Sequence, residues 1–325
     1  MHDTTLTAPL PFEDCAEAGF VPSMLLPGSA FELERGDANF PEVLLGIEDA
    51  PKRLYGVGCE DALETGIAVI GARNATPYGM RAAQLVASWA AELGLVVYSG
   101  CARGCDQAAH RGALEAGGRT VAVMGCGADV VYPKRADKLL GDIAKHGAVI
   151  SEYRWNTPPR RFRFRERNRL IAALSLLVVV TEARLPSGTL SAVHHALDLG
   201  VAVAAVPGSI FCLESAAPNR LISEGAFPLC CRQDLAFACG LSSSRENVNC
   251  LFRLESERST DFDDQSDDAI SLIRRTLQSM PFLPDELAEE LDISLAEVIE
   301  ILGHLEVQGQ VKRYPDGRYG IGDFV

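Results

Sequence analysis

The sequence predicts a doubly wound α/β domain with an extended Rossmann-like, mainly parallel sheet, followed by a small winged-helix domain. Three observations carry this. Short Val/Ile/Ala-rich runs recur between residues 67 and 208, with the continuous apolar character of strands buried on both faces. Helical patterns alternate with them, as βαβ units require. Near the C-terminus three helical patterns lead into two short apolar segments around a Pro-Asp-Gly turn, the order of a winged helix.

Taken in order, residues 1–39 show no sustained period and carry scattered prolines, so an irregular extension is expected there. FPEVLLGIEDAPKRLYGVG, from Phe40, suggests a short helix and an extended approach segment. Six strands follow, at 67–71, 95–100, 120–127, 148–152, 176–183 and 201–208. The helix MRAAQLVASWAAELG follows the first, CDQAAHRGALEAGG the second, and SGTLSAVHHALDLG lies between the last two. The sheet domain is expected over 40–240. ESERSTDFDDQSDD then marks an acidic, solvated linker, placed at 241–267. DDAISLIRRTLQS, LPDELAEELDI, SLAEVIEILGHLEVQGQ and the ribbon VKRYPDGRYGI make up the winged helix, 268–325.

No apolar run approaches the roughly 20 residues of a membrane helix. The N-terminus lacks the basic start and apolar centre of a secretory signal, so a cytoplasmic location without membrane attachment is expected. Ten cysteines occur without a CxxC pair. Cys101, Cys105 and Cys126, with His110, could be put forward as metal ligands, but their segments read as strand ends and glycine turns. They are read as small buried hydrophobes, so neither metal nor cofactor is expected.

Ligands of open parallel sheets bind at the carboxyl ends of the strands. Those ends are glycine-rich here: Gly71, Gly100 with Gly104, Gly125 with Gly127, Gly188 and Gly208. Glycines admit close approach, and the helices behind them aim amides at the same place, which points to an anion-binding floor. A dinucleotide is disfavoured because GARNATPYG carries Arg73 where GxGxxG needs glycine, and the second strand ends in Ser-Gly without a ribose-binding acid. No GxxxxGK[ST] occurs. Ser99, Asp106, His110, Glu152, Glu182, His194 and His195 form no nucleophile elbow, HExxH or carboxylate pair, so no enzyme is expected. His110 follows Asp106 by four residues, a spacing that suits either a functional pair or an ordinary helix-surface one.

The formal net charge is -14, yet residues 153–169, YRWNTPPRRFRFRERNR, hold seven arginines. Such crowding destabilises the free protein unless an anion relieves it. Phe162 and Phe164 alternate with Arg161, Arg163 and Arg165, so an extended segment would show the arginines on one face. Arg73 and the Lys134-Arg135 pair fall in loops at the same sheet edge. Cations beside aromatic rings suit single-stranded nucleic acid, whose phosphates pair and whose bases stack. The other reading puts the phenylalanines in the core and the arginines in internal ion pairs; the residues favour the first.

The sequence resembles the DNA-processing protein A (DprA, also called Smf) family. The resemblance rests on FPEVL, VIGARNATPYG, SGCARGCDQAAHRGAL, GCGADVVYPK, ISEY, FRFRERNRLIAALS, TEARLPSGTLSA, VPGSI and NRLISEGA, spread over Phe40 to Leu229. It implies single-stranded DNA binding, dimerisation and delivery of DNA to a RecA-type recombinase in natural transformation. DNA contacts would fall on Arg73, Lys134 and Arg161, with Arg163, Arg167, Asn168 and Arg169 from the same segment. A phosphate cradle would use Gly71, Ser99, Gly100, Arg103, Gly104, Ser187, Gly188 and Thr189. The sequence departs from the pattern at Ala72, where many members have serine, and at Cys101 and Cys105, usually aliphatic. The helical domain frequent at the family's N-terminus is expected to be missing or replaced by the short extension.

The alternative is a nucleotide-binding sensor or a phosphoribohydrolase on a similar fold. The hydrolase signature PGGxGTxxE has its counterpart at Pro186-Ser187-Gly188-Thr189, but Ala192 stands where the glutamate belongs. The second helix of the winged helix-turn-helix, Ser294–Gln308, holds Glu297, Glu300 and Glu306 and no Lys or Arg, so it is expected to dock protein or steady a dimer and not to grip duplex DNA.

Overall fold

The structure, a computed structural model, describes residues 26–241, 269–279 and 281–321. Most of the expected extension and nearly all of the acidic linker lie outside these residues. The chain divides into two compact units.

The first is built on a nine-stranded sheet. In chain order its elements are β1 (Ala30–Glu34), β2 (Arg53–Gly58), β3 (Gly66–Ile70), α1 (Pro77–Glu92), β4 (Val96–Ser99), α2 (Cys105–Glu115), β5 (Thr120–Val123), α3 (Asp137–His146), β6 (Ala148–Ser151), α4 (Arg161–Glu166), α5 (Asn168–Ala173), β7 (Ser175–Val180), α6 (Leu190–Asp198), β8 (Ala202–Ala205), α7 (Ala216–Ser223), β9 (Phe227–Pro228) and α8 (Arg232–Ala238). The spatial order is β1-β2-β6-β5-β4-β3-β7-β8-β9. All pairs from β6 to β9 are parallel, while β1–β2 and β2–β6 are antiparallel. The six expected strands are all present. The chain returns from β6 to β7 across the sheet, so the topological switch lies between β3 and β7, where such folds bind ligands.

The uninterrupted apolar runs are explained by burial on both faces. Val121, Val123 and Ile150 join the core beneath α5 and α6, whereas Ala122 and Val149 face the core containing α3. One expectation is corrected at the start of the domain. Residues 30–34 form an edge strand inside the stretch assigned to an irregular extension, because Arg53 pairs across the antiparallel register with Glu32 and Glu34 while Leu33 is buried.

The second unit comprises α9 (Ala269–Ser279), α10 (Pro284–Leu291), α11 (Leu295–Val307) and the antiparallel pair β10 (Val311–Arg313) and β11 (Tyr319–Ile321). Ile273, Leu277, Leu287, Val298, Leu302, Leu305 and Val311 form its core. Pro284 opens α10, and the Ser294 hydroxyl accepts from the Glu297 amide to start α11.

Candidate nucleic-acid interface

The arginine segment is helical, not extended. Pro158 and Pro159 precede it, Arg160 keeps extended dihedrals, and α4 begins at Arg161. At 3.6 residues per turn Phe164, Arg167 and Ile171 share one inward face, and all three are buried. Arg161 and Arg165 are exposed, and Phe162 projects into solvent at 57% exposure. Arg163 bends back: it donates to the Pro158 carbonyl at 2.8 Å, and its guanidinium lies 4.9 Å from the Tyr153 ring and 5.6 Å from the Phe162 ring. The alternating pattern therefore sorts its residues by helical angle and not by strand face.

Phe164 is the point on which two loops converge. Its ring lies 5.0 Å from that of Tyr132 in the β5–α3 loop and 5.9 Å from the Arg73 guanidinium in the β3–α1 loop. A Cβ on Gly125 would come within 2.8 Å of it, so glycine is required where the chain leaves β5. Lys134, two residues after Tyr132, is exposed, as is Arg73. The structure thus gathers Arg73, Lys134, Arg161 and Arg163 at one end of the parallel strands.

Arg167 and Arg169 do not join them at the surface. Arg167 is 3% exposed, lies against Gly100, donates to the Val123 carbonyl, and leaves its Nε without a hydrogen-bond partner. Asp106 is its electrostatic complement: burial pushes that carboxyl up, and the Arg167 charge opposes the rise. Arg169 grips the Glu152 carboxylate at 2.8 and 2.7 Å and the Asp49 carbonyl at 2.8 Å. Asn168 donates to the Ser191 hydroxyl at 2.7 Å, tying α5 to α6. For these residues the internal-pairing reading holds, because the inward face of two consecutive helices must be satisfied inside.

The expected cradle is narrowed in the same way. The Gly100 and Ala102 amides donate to Asp106 at 3.2 and 3.3 Å, so the protein's own carboxylate occupies the turn after β4. The amides of Cys105, Gln107 and Ala108 are bonded to preceding carbonyls, and the buried Ser99 hydroxyl donates to Val69 at 2.7 Å. Gly104 has φ +83°, and a Cβ there would meet the Ala72 carbonyl at 2.3 Å; it packs the β3 and β4 loops together. Arg103 is exposed, with Nη2 3.4 Å from Asn74 Oδ1. Across the switch point the Thr189 hydroxyl donates to the Gly71 carbonyl at 3.1 Å, and the Ser187 hydroxyl accepts from the Thr189 amide at 3.2 Å. Gly188 faces open space.

The model of the family described as DNA recombination-mediator protein A matches residues 33–239, and that of the DprA winged helix domain matches residues 259–317. The chain belongs to the DprA family. It is 40% identical over 200 residues to the DNA processing protein DprA of Streptococcus pneumoniae, covering 61% of this chain and 71% of that protein. It is 38% identical over 189 residues to Protein Smf of Escherichia coli, covering 58% of this chain and half of the relative. The solved structure of the pneumococcal DprA superposes with a TM-score of 0.61 at 39% identity, over 63% of this chain and 73% of the other. A DNA processing protein A from Helicobacter pylori, solved for its single-stranded DNA binding mode, superposes with a TM-score of 0.59 at 30% identity, over 67% and 98%.

Other candidates of the DprA core resolve as interior groups. His110 bonds through Nδ1 to the Thr120 hydroxyl at 2.7 Å, and burial lowers its pKa to about 3. Burial pushes the thiols of Cys101, Cys105 and Cys126 up to about 12, so they stay protonated. Among the described residues no group of three or more His, Cys, Asp or Glu could hold a metal, and no helix is long and apolar enough to cross a membrane. In the DprA winged helix, α11 exposes Leu295, Ile299 and Val307 together with Glu297, Glu300 and Glu306.

Proposed function

We propose that this chain binds single-stranded DNA along the carboxyl edge of its sheet and passes it, as a homodimer, to a RecA-type recombinase during transformation or recombination. The observation that carries the reading is the convergence of Arg73, Tyr132 and Arg167 on Phe164, with Lys134 two residues after Tyr132: exposed cations from separate loops stand on one edge. A flexible polyanion is bound well by such an array, because each phosphate contact releases a counterion. The Helicobacter pylori relative, described for its single-stranded DNA binding mode, supports the same ligand here. Arg73, Lys134, Arg161 and Arg163 are the phosphate-contacting residues in this reading, with Arg103, Ser187 and Gly188 at the rim. Arg167, Asn168, Arg169, Ser99, Gly100 and Thr189 position them from below.

Fluorescence anisotropy of a labelled oligothymidine tests it. Tight binding at low salt is expected, weakened by each of Arg73→Ala, Lys134→Ala and Arg161→Ala. Absence of binding by the unaltered protein at low salt refutes the reading and directs attention to small phosphorylated ligands.

A further inference from the structure

The loop after β8, residues 206–213, reads VPGSIFCL and contains no charged side chain. It displays three exposed apolar groups, Ile210 at 84%, Phe211 at 92% and Leu213 at 67%. The loop is nevertheless braced. The Asn219 side chain of α7 accepts from the Gly208 amide at 3.1 Å and donates to the Gly208 carbonyl at 2.9 Å. The Ser209 hydroxyl accepts from the Phe211 amide at 3.2 Å, and the Cys212 amide donates to the Ser209 carbonyl at 3.1 Å. A Cβ at Gly208 would lie 2.1 Å from the Ser215 hydroxyl, so the loop also packs too closely for a side chain there. Single exposed apolar side chains are ordinary, but a contiguous set on a braced turn marks a surface that a ligand or partner can cover.

Its place in the fold indicates which. β8 neighbours β7, and β7 neighbours β3. The Phe211 loop therefore leaves the same carboxyl edge as Arg73, on the opposite side of the switch point from α4. On the α4 side Phe162 is exposed beside the Arg163 guanidinium. In strand order, the exits that carry Lys134 (after β5) and Arg73 (after β3) thus lie between those that lead to Phe162 (after β6) and Phe211 (after β8). A neutral ring on the same sheet edge as phosphate-binding cations suits an unpaired base, which offers a π-face whatever its identity. Two or three side chains on one turn offer far less surface than the roughly 1,200 Å² of total burial typical of a stable protein interface.

We propose that Phe211, with Ile210 beside it, is a stacking platform for an unpaired base of the single strand whose phosphates cross Arg73 and Lys134. The proposal rests on the single-strand reading of this edge. It is tested with two labelled strands of equal length and phosphate number, oligothymidine and a fully abasic strand. Phe211→Ala, which removes a solvent-exposed ring and leaves no cavity, lowers oligothymidine affinity about tenfold, the scale of one stacked base. It leaves the abasic strand's affinity and the salt slope unchanged. Phe211→Trp retains tight oligothymidine binding, whereas Arg73→Ala weakens both strands. An equal fall on both strands, or on neither, overturns the platform. A loss of affinity that tracks a fall in sedimenting mass assigns Phe211 to a contact between copies and overturns it too. If Arg73→Ala leaves oligothymidine binding intact, the single-strand reading of the edge fails, and not the platform alone.

Discussion

Arg161 and Arg165 stand in solvent, whereas Arg167 and Arg169, a few residues further along the same run, are held by Val123 and by Glu152 inside the domain. The residue type is the same and so is the local sequence. The difference is helical angle: a step of about 100° per residue carries some arginines outward and others against the sheet. Density of positive charge in a sequence is therefore not density of positive charge on a surface. The outer arginines stand at the surface, while the inner ones hold the Val123 carbonyl and the Glu152 carboxylate beneath them.

This contrast can be broken experimentally. Arg167→Ala is expected to have the largest effect, a loss of about 3–5 kcal/mol in urea unfolding, because it strands Asp106 in the interior without its counter-charge. Adding Asp106→Asn, which keeps an acceptor for the Gly100 and Ala102 amides but removes the charge, is expected to recover part of that loss. If Arg167→Ala unfolds like the unaltered protein, the inner half of the contrast is wrong.

Acidification should follow. His110 has a folded pKa of about 3, below its unfolded value near 6.5, so the unfolded chain binds the extra proton between these values. Its contribution to stability is complete above about pH 6.5 and is lost as pH falls. About 2 kcal/mol should disappear between pH 6.5 and 5. His110→Asn should flatten that part of the profile when unfolding midpoints are compared.

Arg161→Ala should sharpen the outer half. Unfolding should change by less than about 0.5 kcal/mol, while the slope of log affinity for oligothymidine against log salt should become shallower by about 0.7. Arg169→Ala should show the reverse, a cost of about 2 kcal/mol in stability from its broken hydrogen bonds to Glu152. The smallest effect is expected from the double replacement Lys312→Ala and Arg313→Ala in the intact chain, which should leave the single-strand salt slope unchanged.

The strands were legible because burial on both faces demands continuous apolar runs such as LLVVV, which no amphipathic surface element needs. The winged helix was legible from its periodicity and its Pro-Asp-Gly turn. β1 was not, because an edge strand held by Arg53, Glu32 and Glu34 needs only one buried residue, Leu33, and AFELE carries little apolar signal. The RFRFR run misled because its two-residue alternation imitates a strand; the preceding prolines and the line from Phe164 through Arg167 to Ile171 carry the helical signal. Among the site residues, the loop positions of Arg73 and Lys134 followed from the topology. The inward turn of Arg167, and the filling of the β4 turn by Asp106, depend on contacts between segments more than twenty residues apart in one case and on a local carboxylate in the other. Neither is encoded in residue type.

The ring of Phe164 touches Tyr132, Arg73 and Arg167 and leaves room for no side chain at Gly125. The loops after β3 and β5 and the α4–α5 run thus share a single mechanical bearing, and the spacing between their charges is one adjustable quantity instead of several. Substitutions at Arg73 and Lys134 should consequently fail to add when combined with Phe164→Leu, the signature of energetic coupling through a common neighbour. On the proposed single-strand reading, changing the size of that ring retunes the grip on a polyanion without exchanging any charged residue.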